Sequence, residues 1–331
     1  MSNSDRNYLN SLINAAKANG RREVYITHNP DDKEGVWRIS EPLFVPSGFT
    51  VYISCRIALE PGVFSNIICN ENAYAGISDA SAPDDNIRII GLENAELDGG
   101  EPNCLREKTS EKNGLPHIVK NTSLLFRNVR DFTVSNLKIS NPRWWGMTFI
   151  NASNGSISDI EFFADNRVPN QDGIDLRKGC NNIEIKNISG STGDDSLALT
   201  ALSGRLEELL TVRGGENDIH DIKIKNIRTE VTGGHHIVRI LNHDGNRIYN
   251  VDIDGIYDNT PDSGGVRARA ALKIGDKNYA SLRPALPGET DGITVRNIKT
   301  RARCGVLIGN PNLTNSEFSS VENSEGPQFG F

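Results

Sequence analysis

A seven-residue phrase recurs along this chain, and its recurrence constrains the fold more than any other feature of the sequence. The phrase has the loose form Asn/Asp-Ile-x-Ile-x-Asn-Ile. Copies occur at residues 86–92, 131–137, 154–160, 182–188, 221–227, 250–256 and 292–298. Their first residues are 45, 23, 28, 39, 29 and 42 positions apart. We interpret the short intervals as single turns of a stacked repeat, and the long intervals as turns that carry an inserted loop.

Within each copy, β-branched and polar residues alternate with the period of two that is typical of a strand with one buried face. Short strands between Asn, Gly and Asp residues fit a solenoid in which each strand pairs in parallel with its counterpart one turn on. Asn adopts the left-handed backbone conformation at little cost, which favours a bend at each corner. The sequence therefore predicts an all-β fold, a single-stranded right-handed parallel β-helix.

An antiparallel β-sandwich also has short strands separated by turns, and it is the alternative fold. The β-helix is preferred because a sandwich does not require the same phrase at every turn. No Pro/Ser-rich linker and no block of like charge divides the 331 residues, which predicts one domain over 1–331. Apolar residues at helical spacing ahead of Gly20 predict a short capping helix within 1–22. Coils are expected over 23–322 and a C-terminal tail over 323–331.

Charge and composition limit the partners and the compartment. The chain has 36 basic and 43 acidic residues, a net charge of −7 at pH 7, and no basic stripe, so nucleic acid is not an expected partner. No apolar run approaches the length of about 18 residues that suggests a membrane span, and the N-terminus lacks the basic and apolar regions of a secretory signal. The chain is expected to be cytoplasmic as given, or secreted with its leader removed. The five cysteines form no C-x-x-C pair, and most are expected to be small buried hydrophobic residues.

Three carboxylates lie about one repeat apart: Asp172, and the adjacent Asp194 and Asp195. On stacked strands, Asp172 and Asp194 would lie side by side on neighbouring turns, about 4.8 Å apart at the backbone. Acids packed this closely cannot all ionise cheaply, so at least one is expected to have a raised pKa. Turn formation is the alternative role for Asp at a solenoid corner, and it is the preferred interpretation of Asp175.

Three short motifs carry a resemblance to a known family. They are Asn170-Gln171-Asp172, Gly193-Asp194-Asp195 and Gly234-His235-His236. In this order they resemble the N-T-D, G-D-D and G-H-G motifs of the polygalacturonases, glycoside hydrolase family 28. The likeness covers roughly residues 85–300. It implies the pectin-lyase-like right-handed parallel β-helix, an inverting glycosidase, and a polysaccharide or oligosaccharide as substrate.

Inverting hydrolysis needs one acid that protonates the leaving oxygen and one carboxylate that activates water on the opposite face of the sugar. By the resemblance, Asp194 is the general acid, and Asp172 and Asp195 hold and deprotonate the water. The resemblance also implies that His235 orients the acid. We expect no metal and no cofactor.

Two local features refine this expectation. His235 follows Asp194 by 41 residues, which is longer than one plain turn. The excess is expected within 201–217, where 206–210 predict a helical excursion. Trp144 and Trp145 are adjacent, and in an extended strand their side chains would point to opposite faces, so at most one is expected to face a sugar.

The substrate prediction depends on cations. Polygalacturonases carry an R-I-K motif whose cations hold the galacturonate carboxylate, and the matching stretch here is Ala271-Leu272-Lys273. Lys273 is retained, and Arg239, Arg267 or Arg269 is a candidate to replace the missing charge. An arginine gives a carboxylate two directed bonds and lysine only a point charge, so the loss weakens the case for a galacturonan. The predicted substrate-binding residues are Asn170, His236, Arg239 and Lys273.

Two further functions remain open on the same fold. A lyase or epimerase would use carboxylates such as Asp194 and Asp195 to bind Ca²⁺, while an Arg or Lys abstracts a proton from C5 of the sugar. A non-catalytic or phage-type β-helix would only bind glycan. The order of the three motifs favours the hydrolysis of a uronic-acid-containing or related polysaccharide.

Overall fold

The computed structural model describes residues 4–75, 82–103 and 117–331. Helix α1 (Ser4–Ala18) buries Leu9 and Ile13 and packs against the first three strands. The predicted capping helix is therefore confirmed, and its apolar side covers interior residues at the first coil. Four cysteines are free and buried, as expected, and Cys104 lies outside the described residues. No helix in the described ranges combines the length and the apolar character that crossing a membrane requires.

Short parallel strands make up most of the chain. In chain order they are β1 (Glu23–Ile26), β2 (Trp37–Ile39), β3 (Leu43–Val45), β4 (Thr50–Ile53), β5 (Arg56–Leu59), β6 (Ile68–Asn70), β7 (Asp84–Gly91), β8 (Glu96–Asp98), β9 (Leu124–Ser140), β10 (Met147–Phe163), β11 (Ile174–Leu176), β12 (Asn181–Thr192), β13 (Leu197–Ala201), β14 (Ile219–Val231), β15 (His236–Asn242), β16 (Ile248–Asp258), β17 (Ala270–Ile274), β18 (Thr290–Thr300), β19 (Val306–Ile308), β20 (Leu313–Thr314), β21 (Glu317–Asn323) and β22 (Phe329–Gly330). Three 3₁₀ helices interrupt them, at Ile118–Asn121, Arg205–Leu210 and Lys277–Tyr279.

Interior strands pair in parallel with strands one coil before and one coil after them, and strands at the two ends pair on one side only. The pairings generate three ladders. The repeat ladder contains β1, β4, β7, β9, β10, β12, β14, β16, β18 and β21. The β13 ladder contains β3, β6, the first residues of β9 and β10, then β11, β13, β15, β17, β19 and β22. The third ladder begins β2, β5, β8 and continues with the last residues of β9. The fold is the predicted right-handed parallel β-helix.

The register of the repeat ladder reproduces the repeat found in the sequence. Phe132 pairs with Gly155, and Gly155 pairs with Ile183, the second residues of three successive copies. The same match continues through the later copies. Inward residues such as Ile185 and Ile224 stack on neighbouring coils and are fully buried. Each copy of the phrase thus lies beside the next one and contributes one layer of the apolar core.

Asparagines at the corners adopt the left-handed conformation, as predicted. Asn187 and Asn226 both have φ of 56°. The side-chain amide of Asn226 donates a 2.8 Å hydrogen bond to Asn187, and that of Asn187 donates a 2.8 Å bond to Asp159. The corner residues therefore form a ladder of side-chain hydrogen bonds along the coil axis.

Two peripheral predictions have different outcomes. The helical excursion expected at 206–210 is confirmed as the 3₁₀ helix Arg205–Leu210. The tail expected over 323–331 is wrong in part, because β22 pairs with β19 through Val306 and Phe329. The alternation in those last residues is too short to be recognised as a strand in the sequence.

Candidate active site

The three predicted motifs occupy the turns that lead into β11, β13 and β15 of the β13 ladder. Ile174 pairs with Leu197, and Leu197 pairs with Val238. Extended back along the strands, this register places Asp172 beside Asp195, and Asp194 beside His235. The Gly173 N–H donates to the carbonyl of Asp195 at 2.9 Å. The expected pairing of Asp172 with Asp194 is therefore wrong by one residue, because the motif spacing alone does not define the strand register.

Asp195 is held as an ion by its neighbours. Its Oδ1 accepts hydrogen bonds from the backbone N–H of His236 at 3.0 Å and from His236 Nδ1 at 2.8 Å. Arg239 Nη1 lies 3.5 Å from its Oδ2. Burial raises the pKa of Asp195, but the hydrogen bond and charge of His236 and the charge of Arg239 oppose it and hold the pKa at about 2.

The pKa of Asp194 is shifted in the opposite direction to that of Asp195. Burial, together with the negative charge of Asp195, raises the pKa of Asp194 to about 7. Its Oδ1 accepts a 2.9 Å bond from the Asp195 N–H and lies 3.1 Å from His235 Nδ1. His235 is more exposed than either acid, and burial lowers its pKa. The structure thus places His235 against the carboxyl that the resemblance assigns as the acid.

Asp172 and Asp175 are both buried, at 6% and 1% exposure. Burial raises the pKa of each well above its ordinary value, and the other carboxylates of the cluster add to the rise. Asp172 Oδ1 and Asp175 Oδ2 have no hydrogen-bond partner among the described residues. The interpretation of Asp175 as a turn residue is wrong, because Asp175 lies within β11 and its side chain faces a cavity.

Two cavities adjoin on the outer face of the β13 ladder. The inner cavity has a volume of about 340 Å³, and its floor includes Asp175, Ala198 and Arg239, which are aligned on successive strands. The outer cavity has a volume of about 460 Å³, and Asp194 and His235 line it. Four residues line both cavities: Asn170, Asp172, Arg239 and Tyr279.

The sequence profile described as glycosyl hydrolases family 28 matches residues 48–216, half of the chain. The matched stretch contains Asp172, Asp194 and Asp195. The chain belongs to glycoside hydrolase family 28. Its family is therefore that of the glycosyl hydrolases 28, and its fold is a parallel β-helix.

Individual relatives are distant from this family 28 chain. A curated protein of Aspergillus niger, provisionally named galacturan 1,4-alpha-galacturonidase C, is 27% identical over 181 residues, which cover 49% of this chain. The chain spans only 41% of the length of that relative. An exopolygalacturonase of Thermotoga maritima has a TM-score of 0.51 at 15% identity, with 98% of this chain and 86% of the other covered. A mutant tailspike protein of E. coli bacteriophage HK620, in complex with pentasaccharide, has a TM-score of 0.57 at 12% identity. The match covers 98% of this chain and 55% of the tailspike chain. At these identities the two structures show the fold alone.

The predicted substrate-binding residues of the family 28 chain separate into two groups. Asn170 and Arg239 line both cavities, and their contact with a substrate stays a prediction. His236 is only 3% exposed and bonds Asp195, so its interpretation as a substrate contact is wrong, and it positions a carboxylate instead. Lys273 is paired with Arg239 in the β13 ladder, but its ammonium group bonds Asp276 and it lines neither cavity.

The structure also separates the candidates for the missing arginine. Arg239 lies at the junction of the cavities, one coil before Lys273. Arg269 is exposed, and its charge acts on Asp194 by lowering the pKa of that carboxyl. Arg267 instead bonds backbone carbonyls of Arg301, Ala302 and Glu325. Arg239 is therefore the cation that faces both cavities.

Three residues of the inner cavity were missed by sequence reasoning. Asp175 lies on the outer face of β11 and Arg177 directly follows that strand, and alternation with Ile174 and Leu176 was the signal that could have found them. Tyr279 lies in an insertion between β17 and β18, where no repeat predicts its position. Its ring lies 4.6 Å from the Arg239 guanidinium carbon, so it covers the cation between the cavities.

The two adjacent tryptophans do not belong to a strand. Residues 141–146 form bends between β9 and β10, and both side chains are buried. Trp145 lines the inner cavity, and the Arg177 guanidinium carbon lies 4.9 Å from its ring. Both tryptophans belong to an apolar cluster with Cys69 and Ile150, and Trp144 lines neither cavity. Trp145 and not Trp144 lines one of the two cavities, and the extended strand on which the expectation was based is wrong.

Asp194, Asp195 and His235 each offer one ligand atom within 4.8 Å of the others, a spacing that suits a metal ion. The surrounding charge opposes a cation, because Arg239 lies 3.5 Å from Asp195 and the charge of Arg269 acts on Asp194. A Ca²⁺ site of a lyase normally has six to eight oxygen ligands. This arrangement fits proton transfer better than metal binding.

Proposed function

We propose that this family 28 chain hydrolyses glycosidic bonds of a polysaccharide or oligosaccharide, with Asp194 as general acid and Asp195 as general base. The observation that carries the proposal is the divergence of two adjacent carboxyls, whose pKa values are about 7 for Asp194 and about 2 for Asp195. A general acid must hold its proton at the working pH, and a general base must have lost its own. At a pH between these two pKa values, Asp194 is protonated and Asp195 is ionised.

The other polar groups are assigned to support this pair. His236 and Arg239 keep Asp195 ionised, and His235 orients the carboxyl of Asp194. Asp172 lines both cavities, but its raised pKa favours the neutral acid. We therefore assign Asp172 as a hydrogen-bond donor to the bound sugar or the attacking water, instead of the second base implied by the resemblance.

Inversion of configuration is part of the proposal and is supported by the order of the three motifs. One oxygen of Asp194 lies within 4.8 Å of one oxygen of Asp195. Ordinary inverting pairs are separated by about 6.5 to 9.5 Å to leave room for the water. The Asp194–Asp195 pair is closer than this range, so the proposal of inversion rests on the order of the motifs, and the configuration of the product tests it.

A galacturonan or a related uronic-acid glycan is the first substrate class to test. A relative of the chain has galacturan in its name, and Arg239 provides a cation between the cavities. The alternatives are a non-catalytic β-helix that binds glycan and a lyase, and the same assay distinguishes them.

The test is a screen of plant, algal and bacterial polysaccharides for new reducing ends, with ultraviolet absorbance recorded in parallel. Hydrolysis produces reducing ends without the absorbance of an unsaturated sugar, is insensitive to a chelator, and is lost in Asp194→Asn. Asp254→Asn is the matched control, because Asp254 lies on the outer face of the repeat ladder. Unsaturated products would support the lyase. Tight glycan binding without turnover would support the non-catalytic alternative.

A further inference from the structure

We infer that His243 is a positioning residue of the candidate site, because its imidazole ring closes the base of the insertion that carries Tyr279. Residues 276–285, between β17 and β18, form this β17 insertion. The inference rests on the proposed function and adds a residue that lines neither cavity. His243 acts on the site through Tyr279, which covers the cation between the two cavities.

His243 directly follows β15 and is fully buried. Its Nδ1 accepts a 3.2 Å hydrogen bond from the backbone N–H of Ala285, and its Nε2 donates to the backbone carbonyl of Asp276. Because one ring nitrogen accepts and the other donates, both bonds form together only in the neutral imidazole that carries its proton on Nε2. The backbone of His243 also pairs with Pro284 in an antiparallel bridge. One side chain therefore joins the two ends of the β17 insertion.

Asp276 connects His243 to the 3₁₀ helix that ends at Tyr279. The Asp276 carboxylate accepts a 3.1 Å hydrogen bond from the backbone N–H of Asn278 and a bond from the Lys273 ammonium group. Its backbone carbonyl accepts the bond from His243. Two residues of the β13 ladder and its turns thus hold Asp276, which begins the segment that carries Tyr279.

The second half of the β17 insertion has separate contacts. The carboxylate of Asp244, the residue after His243, accepts hydrogen bonds from the backbone N–H groups of residues 281–283. The Ser281 hydroxyl donates a 2.7 Å hydrogen bond to the Ser203 carbonyl. These contacts lie after Tyr279 in the chain, whereas the contacts of Asp276 lie before it. The His243 ring is the group that bonds the backbone at both ends.

Tyr279 is the residue through which the β17 insertion reaches the candidate site. It lines both cavities, and its ring lies 4.6 Å from the Arg239 guanidinium carbon. The residue is 48% exposed, so burial alone does not fix its position. If the base of the insertion opens, the Tyr279 ring moves away from Arg239 and both cavities lose a shared wall. Asp194 and Asp195 keep their own histidine partners, because those bonds do not involve the insertion.

Hydrogen exchange in the free protein tests the connection made by His243. His243→Leu removes both ring nitrogens, and we expect peptides that cover 276–285 to exchange about tenfold faster, the effect of losing roughly one hydrogen bond. His220→Leu is the matched control, because His220 also bonds through both ring nitrogens, to Asp221 at 2.7 Å and Glu216 at 2.9 Å, but lies in the repeat ladder. It should leave exchange of the insertion unchanged.

His243→Gln serves if the leucine variant does not fold, as checked by circular dichroism. It keeps a donor for the Asp276 carbonyl but loses the acceptor for the Ala285 N–H, so faster exchange is expected at the Ala285 end. Unchanged exchange in a folded variant would overturn the inference. Since this measurement uses no glycan, it decides the role of His243 in the insertion even if the proposed hydrolysis fails.

Steady-state kinetics on the glycan that the chain hydrolyses test whether His243 acts through Tyr279. We expect His243→Leu to raise KM about tenfold, as for the loss of one aromatic contact, and to leave kcat within about threefold of the wild-type value. Tyr279→Leu should raise KM to a similar extent. The double variant should then match Tyr279→Leu alone, because the two residues act in series. Effects on KM that multiply in the double variant would contradict the positioning role.

Discussion

At the scale of single residues, the candidate site depends on what surrounds each carboxyl more than on which carboxyls are present. Asp194, Asp195, Asp172 and Asp175 are chemically identical and lie within one cluster. Burial raises the pKa of all four, and only at Asp195 do the hydrogen bond from His236 and the charges of His236 and Arg239 outweigh it. The functional difference between them is therefore a property of their partners.

This difference predicts opposite results for two matched substitutions. Asp195→Asn removes the ionised base, and we expect kcat to fall by about 10²- to 10⁴-fold, the usual contribution of general acid–base catalysis. Asp175→Asn keeps the shape of a carboxyl whose raised pKa favours the neutral form, so kcat should stay within a few-fold of the wild-type value. Steady-state kinetics on the same glycan measure both. Similar large losses in the two variants would contradict the assignment of Asp195.

The pH dependence of kcat/KM follows from the same pKa values. The reactive form has Asp194 protonated and Asp195 ionised, so kcat/KM should be high between the two pKa values and fall as the pH rises through about 7. Arg269→Gln removes a positive charge that lowers the pKa of Asp194, and should move the alkaline fall to higher pH. The shift should shrink in high salt, since Arg269 is exposed. A fall that moves to lower pH in the variant would refute the assignment of the acid.

The motif residues could be predicted at this scale, and their surroundings could not. Asp194, Asp195 and His235 were found because they occur in motifs of fixed order. Asp175 was misread, because an Asp within a strand and an Asp at a corner look alike until the register is known. His236 was misread because its burial depends on contacts with Asp195 across neighbouring coils.

At the scale of elements, the corner asparagines stabilise the coil through their backbone conformation. We expect Asn187→Ala to lower the free energy of unfolding by about 1–2 kcal/mol, because alanine is strained at the φ of 56° that this residue adopts. Asn187→Gly accepts that φ without strain and loses the same side-chain hydrogen bonds, so it should cost less. Urea unfolding of the three proteins measures the difference. A glycine variant as destabilised as the alanine variant would show that the hydrogen-bond ladder, not the conformation, is the main contribution.

The repeat ladder was predictable, and the insertions were not. Seven strands of the repeat ladder carry the phrase, so their register follows from the sequence alone: β7, β9, β10, β12, β14, β16 and β18. Several strands of the β13 ladder have only three residues, as β11 does, and a period of two is hardly visible over that length. The excursion after β13 was anticipated from a spacing that was too long. The contact of this excursion with Ser281 depends on how two insertions pack, and no periodicity in the sequence predicts that packing.

At the scale of the whole molecule, the candidate site should reduce the stability of the protein at neutral pH. Asp194 has a pKa of about 7 in the folded chain and an ordinary value of 3.8. The folded state therefore binds the proton more tightly than the unfolded state, and the free energy of unfolding falls as the pH rises from 3.8 through 7. In Asp194→Asn, the free energy of unfolding does not fall with pH for this reason, because asparagine does not ionise. We expect its Tm to exceed that of the wild type above pH 7, and the difference to shrink towards pH 4. Calorimetry over this pH range is the measurement, and a lower Tm for the variant at neutral pH would contradict the raised pKa.

The central claim is that Asp194 donates a proton to the leaving oxygen while Asp195 activates a water that attacks from the opposite face. Proton NMR of the first-formed product tests it most directly, because the anomeric signal of a fresh hydrolysis mixture reports the configuration before mutarotation. The claim predicts that the first anomer to accumulate has the configuration opposite to that of the cleaved bond. A first anomer with retained configuration would contradict it, since retention requires a covalent glycosyl-enzyme intermediate in place of direct attack by water.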